Sequence, residues 1–309
     1  MYRKPRPLSP RESLHRQGYN FIAEDATAAV KPCLWCKRAL RGGESCYKHQ
    51  FYGIDTWRCV QMTPTLRCNQ RCLFCWRSME YEPVDERILS PDEIIAGIPA
   101  LQRKGLSGDK PFCDEERWYT AVDNPTQYAV SLSGEPTLYP HLAELIGKLR
   151  ANGCSVFVVS NGTVPEMIEK IRPTQMYISL DACTAEGYAE LCRPAGDAEL
   201  MWDNVMHSLS LFAKKEDEGV RTAVRITLVK DYNDSDPVGF AKIIEETAPL
   251  YVEIKGYMYL GFSRSRLPES AVPNMDEITA FAQGISDAAP HYVLYDTNAP
   301  SRVVCLKRK

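Results

Sequence analysis

The 309-residue sequence lacks the features that define several large classes of protein. No apolar run approaches the about 18 residues of a membrane-spanning helix, and no apolar stretch follows the basic N-terminal residues, as it would in a secretory signal. The chain has neither an internal repeat nor a low-complexity tract. It also lacks an excess of positive charge, because its formal net charge is −3, so composition alone does not indicate a nucleic-acid-binding domain. We therefore expect a globular, cytoplasmic protein that does not associate with membranes.

Cysteine, in contrast, is abundant, with 12 residues. In a chain without a secretory signal, disulfides are disfavoured and metal or redox use becomes the leading interpretation. Seven cysteines lie in one stretch between Cys33 and Cys75, which predicts a metal or redox site there. The other five are scattered, as expected of small buried core residues. These five are Cys113, Cys154, Cys183, Cys192 and Cys305.

From about residue 62 onward, short apolar segments alternate with amphipathic ones, which predicts strand–helix units around a parallel sheet. Strands are predicted at residues 61–67, 128–132, 155–160, 175–180, 223–229, 251–256 and 292–295. Helices are predicted from residue 91 toward 104 and at residues 141–151, 165–170, 185–191, 200–215, 237–246 and 276–288. Residues 104–124 are interrupted by glycine and proline and are expected to form an insertion or a long loop.

About six such units predict a barrel, open or closed, whose site lies at the C-terminal ends of its strands. We expect this barrel to span residues 61–300. Residues 1–60 have little apolar periodicity and form a predicted cysteine-rich extension, and residues 301–309 form a predicted basic tail.

Cys68, Cys72 and Cys75 follow the first predicted strand with C-x3-C-x2-C spacing. A structural zinc site needs four ligands, whereas a [4Fe–4S] cluster held by three cysteines keeps one iron open for another ligand. Zinc or ordinary core cysteines remain the alternative. With the aromatic Phe74 before the last cysteine, the loop resembles that of the radical S-adenosylmethionine (SAM) enzymes. The resemblance implies a SAM-binding cluster and places Phe74 near the adenine of SAM.

A second motif follows the next predicted strand and resembles the Gly-Gly-Glu-Pro turn of the same superfamily, with serine in place of the first glycine. Its residues are Ser133, Gly134, Glu135 and Pro136. The resemblance implies that this turn holds the amino group of the SAM methionine. Asn161, Ser179 and Asp181 stand at the ends of the next two predicted strands, as expected for contacts with the SAM ribose or the substrate. Asn161-Gly162 is also an ordinary turn sequence.

Cys33, Cys46 and Cys59 precede the first predicted strand of the barrel, and 12 residues separate each from the next. Counting cysteines predicts a second cluster here. Even spacing does not define a metal site, and Cys36 forms a C-x2-C pair with Cys33, so a zinc half-site is the alternative.

The sequence from about residue 25 to 300 resembles the archaeal-type tRNA 4-demethylwyosine synthases. The segments that carry the resemblance are VKPCLW (30–35), CYKH (46–49), FYGI (51–54), QMTP (61–64), CLFCWR (72–77) and YMYLGFSRSRL (257–267). The resemblance implies two [4Fe–4S] clusters, one on Cys68, Cys72 and Cys75 that binds SAM, and an auxiliary one. Cys33, Cys46 and Cys59 would hold the auxiliary cluster, with Cys36 as a non-ligand.

The resemblance also implies the reaction. A lyase of this family condenses N1-methylguanosine, located 3′ of the anticodon in phenylalanine tRNA, with carbons of pyruvate into a tricyclic base of the wyosine pathway. The chain has no room for the flavodoxin-like domain of eukaryotic relatives, so we expect an external electron donor such as a flavodoxin or ferredoxin, and a monomer. Lys48, two residues after Cys46, is the candidate for an imine with pyruvate. The alternative is a surface or phosphate-binding lysine.

Contacts with tRNA require only a local basic stripe. Arg67, Arg71 and Arg77 flank the cysteine loop, and the predicted tRNA contacts are completed by Arg264, Arg266 and the aromatic Trp76. Solvated charge and core packing are the alternative roles.

Two other functions remain open on sequence grounds. One is a two-cluster radical SAM enzyme acting on a peptide or small molecule. The other is a zinc-bearing RNA-binding module without enzymatic activity, which the C-x3-C-x2-C loop argues against.

Overall fold

A computed structural model describes residues 9–78 and 86–309, so the basic residues Arg3, Lys4 and Arg6 lie outside the described residues. Ten strands form one sheet in the order β1-β2-β3-β4-β5-β6-β7-β8-β10-β9. The strands are β1 Asn20–Phe21, β2 Ala29–Val30, β3 Cys59–Thr63, β4 Gln127–Val130, β5 Ser155–Ser160, β6 Gln175–Ser179, β7 Arg221–Leu228, β8 Tyr251–Gly256, β9 Tyr292–Asn298 and β10 Val303–Arg308.

Helices connect the strands. They are α1 Pro10–Arg16, α2 Leu34–Leu40, α3 Tyr47–Tyr52, α4 Pro91–Leu106, α5 Glu115–Asp123, α6 Leu142–Ala151, α7 Pro165–Lys170, α8 Ala185–Cys192, α9 Ala198–Ser210, α10 Phe212–Asp217, α11 Pro237–Thr247 and α12 Met275–Ala288. The sequence sets several of these starts: Ser90 and Glu93 form a capping box at α4, with Pro91 in the first turn. None of the helices in the described ranges is both long and apolar enough to cross a bilayer.

Strands β3 to β8 run parallel in chain order, which confirms the predicted strand–helix units. Alternate strand residues, such as Val156 and Val158, pack against the helices in the main core. The residues between them, such as Phe157 and Tyr177, point to the opposite face, which we call the inner face. Helix α3 packs Tyr47 onto this inner face. The first 60 residues therefore contribute to the core of the sheet.

Two predictions of secondary structure from the sequence are wrong. Residues 104–124 are not a loop, because a 3₁₀ turn and helix α5 occupy most of them. The indole of Trp118 is buried there and donates to the carbonyl of Leu106 at 2.9 Å. The glycines and prolines of this segment interrupt its apolar pattern and hide the helix. Residues 200–215, predicted as one helix, are divided between α9 and α10.

The predicted basic tail at residues 301–309 is also wrong. Strand β10 lies between β8 and β9, antiparallel to both, and its residues 303–306 are fully buried. The basic residues dominate the sequence pattern, yet the guanidinium of Arg308 forms an ion pair with Glu216 at 2.5 Å. Strands β1 and β2 extend the sheet beyond β3 at its opposite edge. The predicted domain boundary at residue 60 falls inside β3, which begins at Cys59.

Candidate functional site

Cys68, Cys72 and Cys75 lie on the loop that follows the C-terminal end of β3. The C-terminal end of α8 fixes this loop through its backbone. The amide of Arg71 donates to the carbonyl of Cys192 at 3.1 Å, and the amide of Leu73 donates to that of Leu191 at 2.9 Å. Cys192, predicted as a core residue, is buried, and its thiol is hydrogen-bonded to Cys72.

Two arginines predicted to contact tRNA bind the cysteine loop instead of pointing to solvent. Arg77 donates to the carbonyls of Leu66 at 3.0 Å and Gln70 at 3.1 Å. Arg266 donates to the carbonyls of Leu73, at 3.2 Å, and Cys75.

The other predicted tRNA contacts differ in position. Arg67, Arg71 and Arg264 are exposed. The indole of Trp76 is half-buried beside Tyr19, with 6.1 Å between ring centroids. Arg264 donates to the carbonyl of Tyr259 at 3.0 Å, within its own segment.

The donor set of the loop fits an iron–sulfur cluster. Burial raises the pKa of Cys68 to about 12, and the charge of Arg77 opposes this shift. A soft metal centre stabilises thiolates that such burial disfavours. Among residues 9–78 and 86–309, no three His, Cys, Asp or Glu side chains form a site for a single metal ion. Three thiols are one ligand short of a structural zinc site but sufficient for a [4Fe–4S] cluster with one open iron.

The turn of Ser133 to Pro136 packs against the start of the cysteine loop. Gly134 has φ +78°, and a Cβ there would lie 2.2 Å from the carbonyl oxygen of Thr65, so only glycine fits. The amide of Glu135 donates to the carbonyl of Arg67 at 2.6 Å. The hydroxyl of Ser133 lies 2.7 Å from that of Tyr19, and Pro136 is buried.

The Glu135 carboxylate is buried and accepts four hydrogen bonds within the protein, three at Oε1 and one at Oε2. It accepts from the amide of Thr137 at 3.0 Å, the hydroxyl of Thr137 at 2.7 Å, the hydroxyl of Ser160 at 2.8 Å and the amide of Asn161 at 2.7 Å. Burial raises the pKa of Glu135, and these hydrogen bonds oppose the shift. Glu135 thus ties the end of β4 to the end of β5.

Asn161 joins this turn to the cysteine loop. Its side-chain amide donates to Asn69 at 2.9 Å, and Asn69, which the sequence analysis missed, donates to the hydroxyl of Thr163 at 2.8 Å. Asp181 is buried and accepts from the amide of Thr227 at 2.7 Å, and burial raises its pKa to about 6. Ser179 ends β6 and is half-buried.

Phe74 lies farther along the cysteine loop. It packs against a buried cluster that includes Leu73, Val229 and Tyr257.

The second cysteine triad uses its sulfurs as helix caps. Cys33 is the N-cap of α2 and accepts from the amide of Cys36 at 3.3 Å, while Cys46 is the N-cap of α3 and accepts from the amide of Lys48 at 3.4 Å. Cys59 opens β3. Hydrogen bonds to sulfur favour the thiolate and tune a cluster.

Electrostatic interactions join Cys33, Cys46 and Cys59, and the charge of Lys48 acts on all three. Burial raises the pKa of each thiol. Cys36 lies in the same group, because electrostatic interactions also join it to Cys33 and Cys59. Its buried thiol donates to the carbonyl of Cys59 at 3.4 Å.

Lys48 is buried on the inner face, with 9% of its surface exposed. Its ammonium lies 5.1 Å from the ring of Phe157 and 5.3 Å from that of Tyr177. The surface-lysine interpretation therefore does not hold.

Helix α3, which carries Lys48, is held by a buried carboxylate that the sequence analysis missed. Glu253 on β8 accepts from the hydroxyls of Tyr47 at 2.9 Å and Tyr52 at 2.5 Å. Arg225 and Lys255, also on the inner face, carry charge toward the same region. Only the alternation of residues along β7 and β8 could have indicated them.

The two triads lie at opposite ends of β3, because Cys59 begins the strand and Cys68 follows its end. Four residue steps along the strand correspond to about 13 Å. The arrangement can hold two soft metal centres, with a buried lysine beside one of them.

Two family models match consecutive parts of the chain. Residues 114–244 match the radical SAM superfamily, and residues 246–308 match wyosine base formation.

Three relatives from different organisms are all described as SAM-dependent tRNA 4-demethylwyosine synthases. The SAM-dependent tRNA 4-demethylwyosine synthase of Pyrococcus horikoshii is 38% identical over 98% of this chain and 89% of that protein. The protein of the same description from Methanocaldococcus jannaschii is 37% identical over 96% of this chain and 94% of that protein. A mouse relative is 36% identical over 91% of this chain, which spans 39% of that longer protein.

Two solved structures are similar over nearly the whole chain. One, TYW1 with a lysine-pyruvate adduct bound, has a TM-score of 0.85 at 34% identity and covers 96% of this chain and 95% of its own. An archaeal TYW1 has a TM-score of 0.79 at 32% identity, over 98% and 97% of the two chains.

Proposed function

This chain belongs to the family of SAM-dependent tRNA 4-demethylwyosine synthases, and we propose that its two cysteine triads hold two [4Fe–4S] clusters with separate tasks. The fold is the α/β fold of radical SAM enzymes, and the function is wyosine-base synthesis in tRNA with SAM and a [4Fe–4S] cluster. Family membership does not support the alternatives of a peptide-modifying enzyme or a zinc-bearing RNA-binding module. The finer architecture we propose is a partial (βα)6 barrel built on β3 to β8, with the cysteine-bearing segment before β3 added to its edge through β1 and β2.

In the first site, Cys68, Cys72 and Cys75 would hold the cluster that binds SAM. When bound, the cluster would pass one electron from the external donor to SAM, which would release methionine and supply a 5′-deoxyadenosyl radical for hydrogen abstraction from the methyl group of the base. The protein orients and shields these groups. We assign the backbone of the turn at Gly134 to the methionine end of SAM, because this turn lies against the cysteine loop. Since Glu135 already accepts four hydrogen bonds, it keeps the turn rigid.

The remaining SAM contacts follow from their positions. We assign Phe74 to the adenine, and Asn161, Ser179 and Asp181 to the ribose side of the site. Asn161 is the best supported of these, because its side chain is bonded to Asn69 of the cysteine loop.

The second site would join an auxiliary cluster to Lys48. Cys33, Cys46 and Cys59 would hold the cluster, whose open iron supplies Lewis-acid chemistry. The Lys48 amine attacks the keto carbon of pyruvate, and water leaves as the imine forms. One observation carries this proposal: Lys48 stands in the first turn of the helix that Cys46 caps, and is buried against aromatic rings. The lysine–pyruvate adduct of the related TYW1 structure supports it.

The exposed Arg67, Arg71 and Arg264 are proposed to bind the phosphates of phenylalanine tRNA, with Trp76 near the anticodon loop. We propose a separate electron donor, such as a flavodoxin or ferredoxin, and a monomeric enzyme.

The proposal is tested by anaerobic reconstitution followed by an iron assay and a reaction with dithionite, SAM, pyruvate and methylated tRNA. We expect about eight irons per chain and a tricyclic base, detected by mass, that requires pyruvate. Cys59→Ala is expected to remove about half of the iron and abolish the product. Cys36→Ala is the matched control and is expected to retain the iron, because Cys36 is proposed to be a non-ligand. Four irons in the wild-type protein, or product without pyruvate, contradicts the proposal.

A further inference from the structure

Two cations on the inner face have no hydrogen-bond or ion-pair partner within the described parts of the chain. Arg225 on β7 and Lys255 on β8 lie on neighbouring strands, where Arg225 is paired in register with Glu253, and Lys255 with Thr227. Neither side chain forms a hydrogen bond or an ion pair with any residue in 9–78 or 86–309. The Lys255 ammonium lies 5.2 Å from the centroid of the Tyr47 ring.

The charges around this pair are unbalanced. Lys48, Arg225 and Lys255 are three cations, and two carboxylates, those of Glu253 and Asp181, act on the pair. Both oxygens of Glu253 are occupied by tyrosine hydroxyls. Burial, and next the charge of Arg225, lower the pKa of Lys255 to about 8. Like charges in a partly buried site cost free energy, so an anion placed between them is stabilised.

The location of Arg225 and Lys255 indicates which anion they bind. Lys255 interacts electrostatically with Lys48 and Cys46, and Tyr47, which contacts Lys255, is the neighbour of Lys48 in the chain. An anion held by Lys255 therefore lies beside the amine of Lys48 and the second cysteine triad, and Arg225 reaches it from the side of Asp181.

We propose that Arg225 and Lys255 form a seat for the carboxylate of the 2-oxo acid that reacts with Lys48. The planar guanidinium of Arg225 suits a carboxylate, and the ammonium of Lys255 adds a second charge. This inference rests on the proposed function, in which Lys48 reacts with the keto carbon of pyruvate. It assigns the carboxylate of the same molecule to Arg225 and Lys255. It makes the site specific for 2-oxo acids, because a neutral ketone leaves both cations unpaired.

The test uses cluster-reconstituted protein and borohydride, which reduces the imine of Lys48 to a stable adduct that peptide mass spectrometry counts. Arg225→Gln and Lys255→Gln are each expected to raise the pyruvate concentration for half-maximal trapping by about 10- to 100-fold, the effect of a lost charge-assisted hydrogen bond. Hydroxyacetone, a ketone without a carboxylate, is expected to be trapped poorly by the wild type and equally by both variants. Arg225→Lys restores part of the preference for pyruvate.

The matched control is Lys307→Gln. Lys307 also contacts a tyrosine ring, that of Tyr251 at 5.7 Å, and pairs in register with the start of β8, about 13 Å along the strand from Lys255. It is expected to trap pyruvate as the wild type does. Far-UV circular dichroism shows whether each variant folds, and Lys255→Gln tests the seat without altering β7.

The outcomes separate the two proposals. If the wild type traps no pyruvate on Lys48, the proposed function of Lys48 fails. Equilibrium dialysis of labelled pyruvate against Lys48→Ala then still tests the seat, which predicts weaker binding when Arg225→Gln is added. If the variants at Arg225 and Lys255 trap pyruvate with wild-type concentration dependence, the carboxylate seat is overturned. Weaker SAM binding with unchanged trapping would assign the pair to the SAM carboxylate and also overturn it.

Discussion

Gly134 shows how one residue without a side chain fixes the relation between the predicted SAM turn and the cysteine loop. Its φ of +78° and its approach to the carbonyl of Thr65 are separate constraints. Gly153 shares only the first, because its φ is +75° and no atom lies within 4 Å of its missing Cβ. The two glycines therefore form a matched pair.

We predict that Gly153→Ala costs about 1–2 kcal/mol of stability, the effect of backbone strain alone. Gly134→Ala adds a collision with the backbone of the cysteine loop and is expected to cost about 2–5 kcal/mol. It should also lower iron binding by Cys68 and its neighbours. Urea unfolding and iron assays measure both effects. Equal costs for the two variants would show that the close approach is unimportant.

Asp181, also a single residue, makes the stability of the folded protein depend on pH. Burial raises its pKa from 3.8 to about 6, so between these values the folded chain keeps a proton that the unfolded chain releases. Its contribution to stability therefore falls as pH rises from 4 to 6, by about 3 kcal/mol. We predict that Asp181→Asn gains stability relative to the wild type by up to this amount over that range. Urea unfolding at several pH values measures it, and a constant difference would refute the prediction.

At the scale of elements, the segment of residues 257–267 acts as a clamp on the cysteine loop. Gly261 lies against the carbonyl of Trp76, which also accepts from the amide of Phe262 at 3.0 Å. Arg266 binds two further carbonyls of the loop. The family resemblance in this segment therefore has a structural cause.

We predict that Arg266→Ala loosens the cysteine loop by about 1–3 kcal/mol, because two carbonyls lose their donor. Reconstituted protein should then lose iron from the first site and retain the second cluster. Arg264→Ala is the control, since Arg264 is exposed and bonds only within its own segment. Iron titration with Mössbauer spectroscopy distinguishes the two sites. Equal iron loss in both variants would contradict the clamp.

The sequence predicts elements well where the pattern is local. The strands at residues 155–160 and 251–256 are confirmed at both ends, because each is a short, mostly apolar run between turns. Cysteine spacing likewise marks both triads. The pattern does not reveal a role for Glu253, Arg225 or Lys255, since each is a charged residue that simply alternates with apolar residues along its strand. The role of these three residues depends on their contacts with α3, a helix that is distant in sequence and packs onto the inner face.

At the scale of the whole molecule, β10 completes the sheet. Residues 303–306 are fully buried, and burial of four apolar side chains contributes about 6–12 kcal/mol, comparable to the stability of a domain. We predict that deletion of residues 303–309 yields no folded protein, as judged by near-UV circular dichroism and gel filtration. Lys309→Gln, which keeps the strand, should fold normally. A truncated chain with a wild-type unfolding midpoint would restore the basic-tail interpretation.

The position of β10 also determines how the chain can fold during synthesis. Strands β3 to β8 pair in the order in which they leave the ribosome, but β9 emerges before β10, its only neighbour in the described sheet. Until residues through Arg308 have been translated, β9 has no partner and the outer edge of β8 is open. We therefore expect α3, which packs on the inner face against residues of β8 and β10, to reach its final position only after β10 has been synthesised.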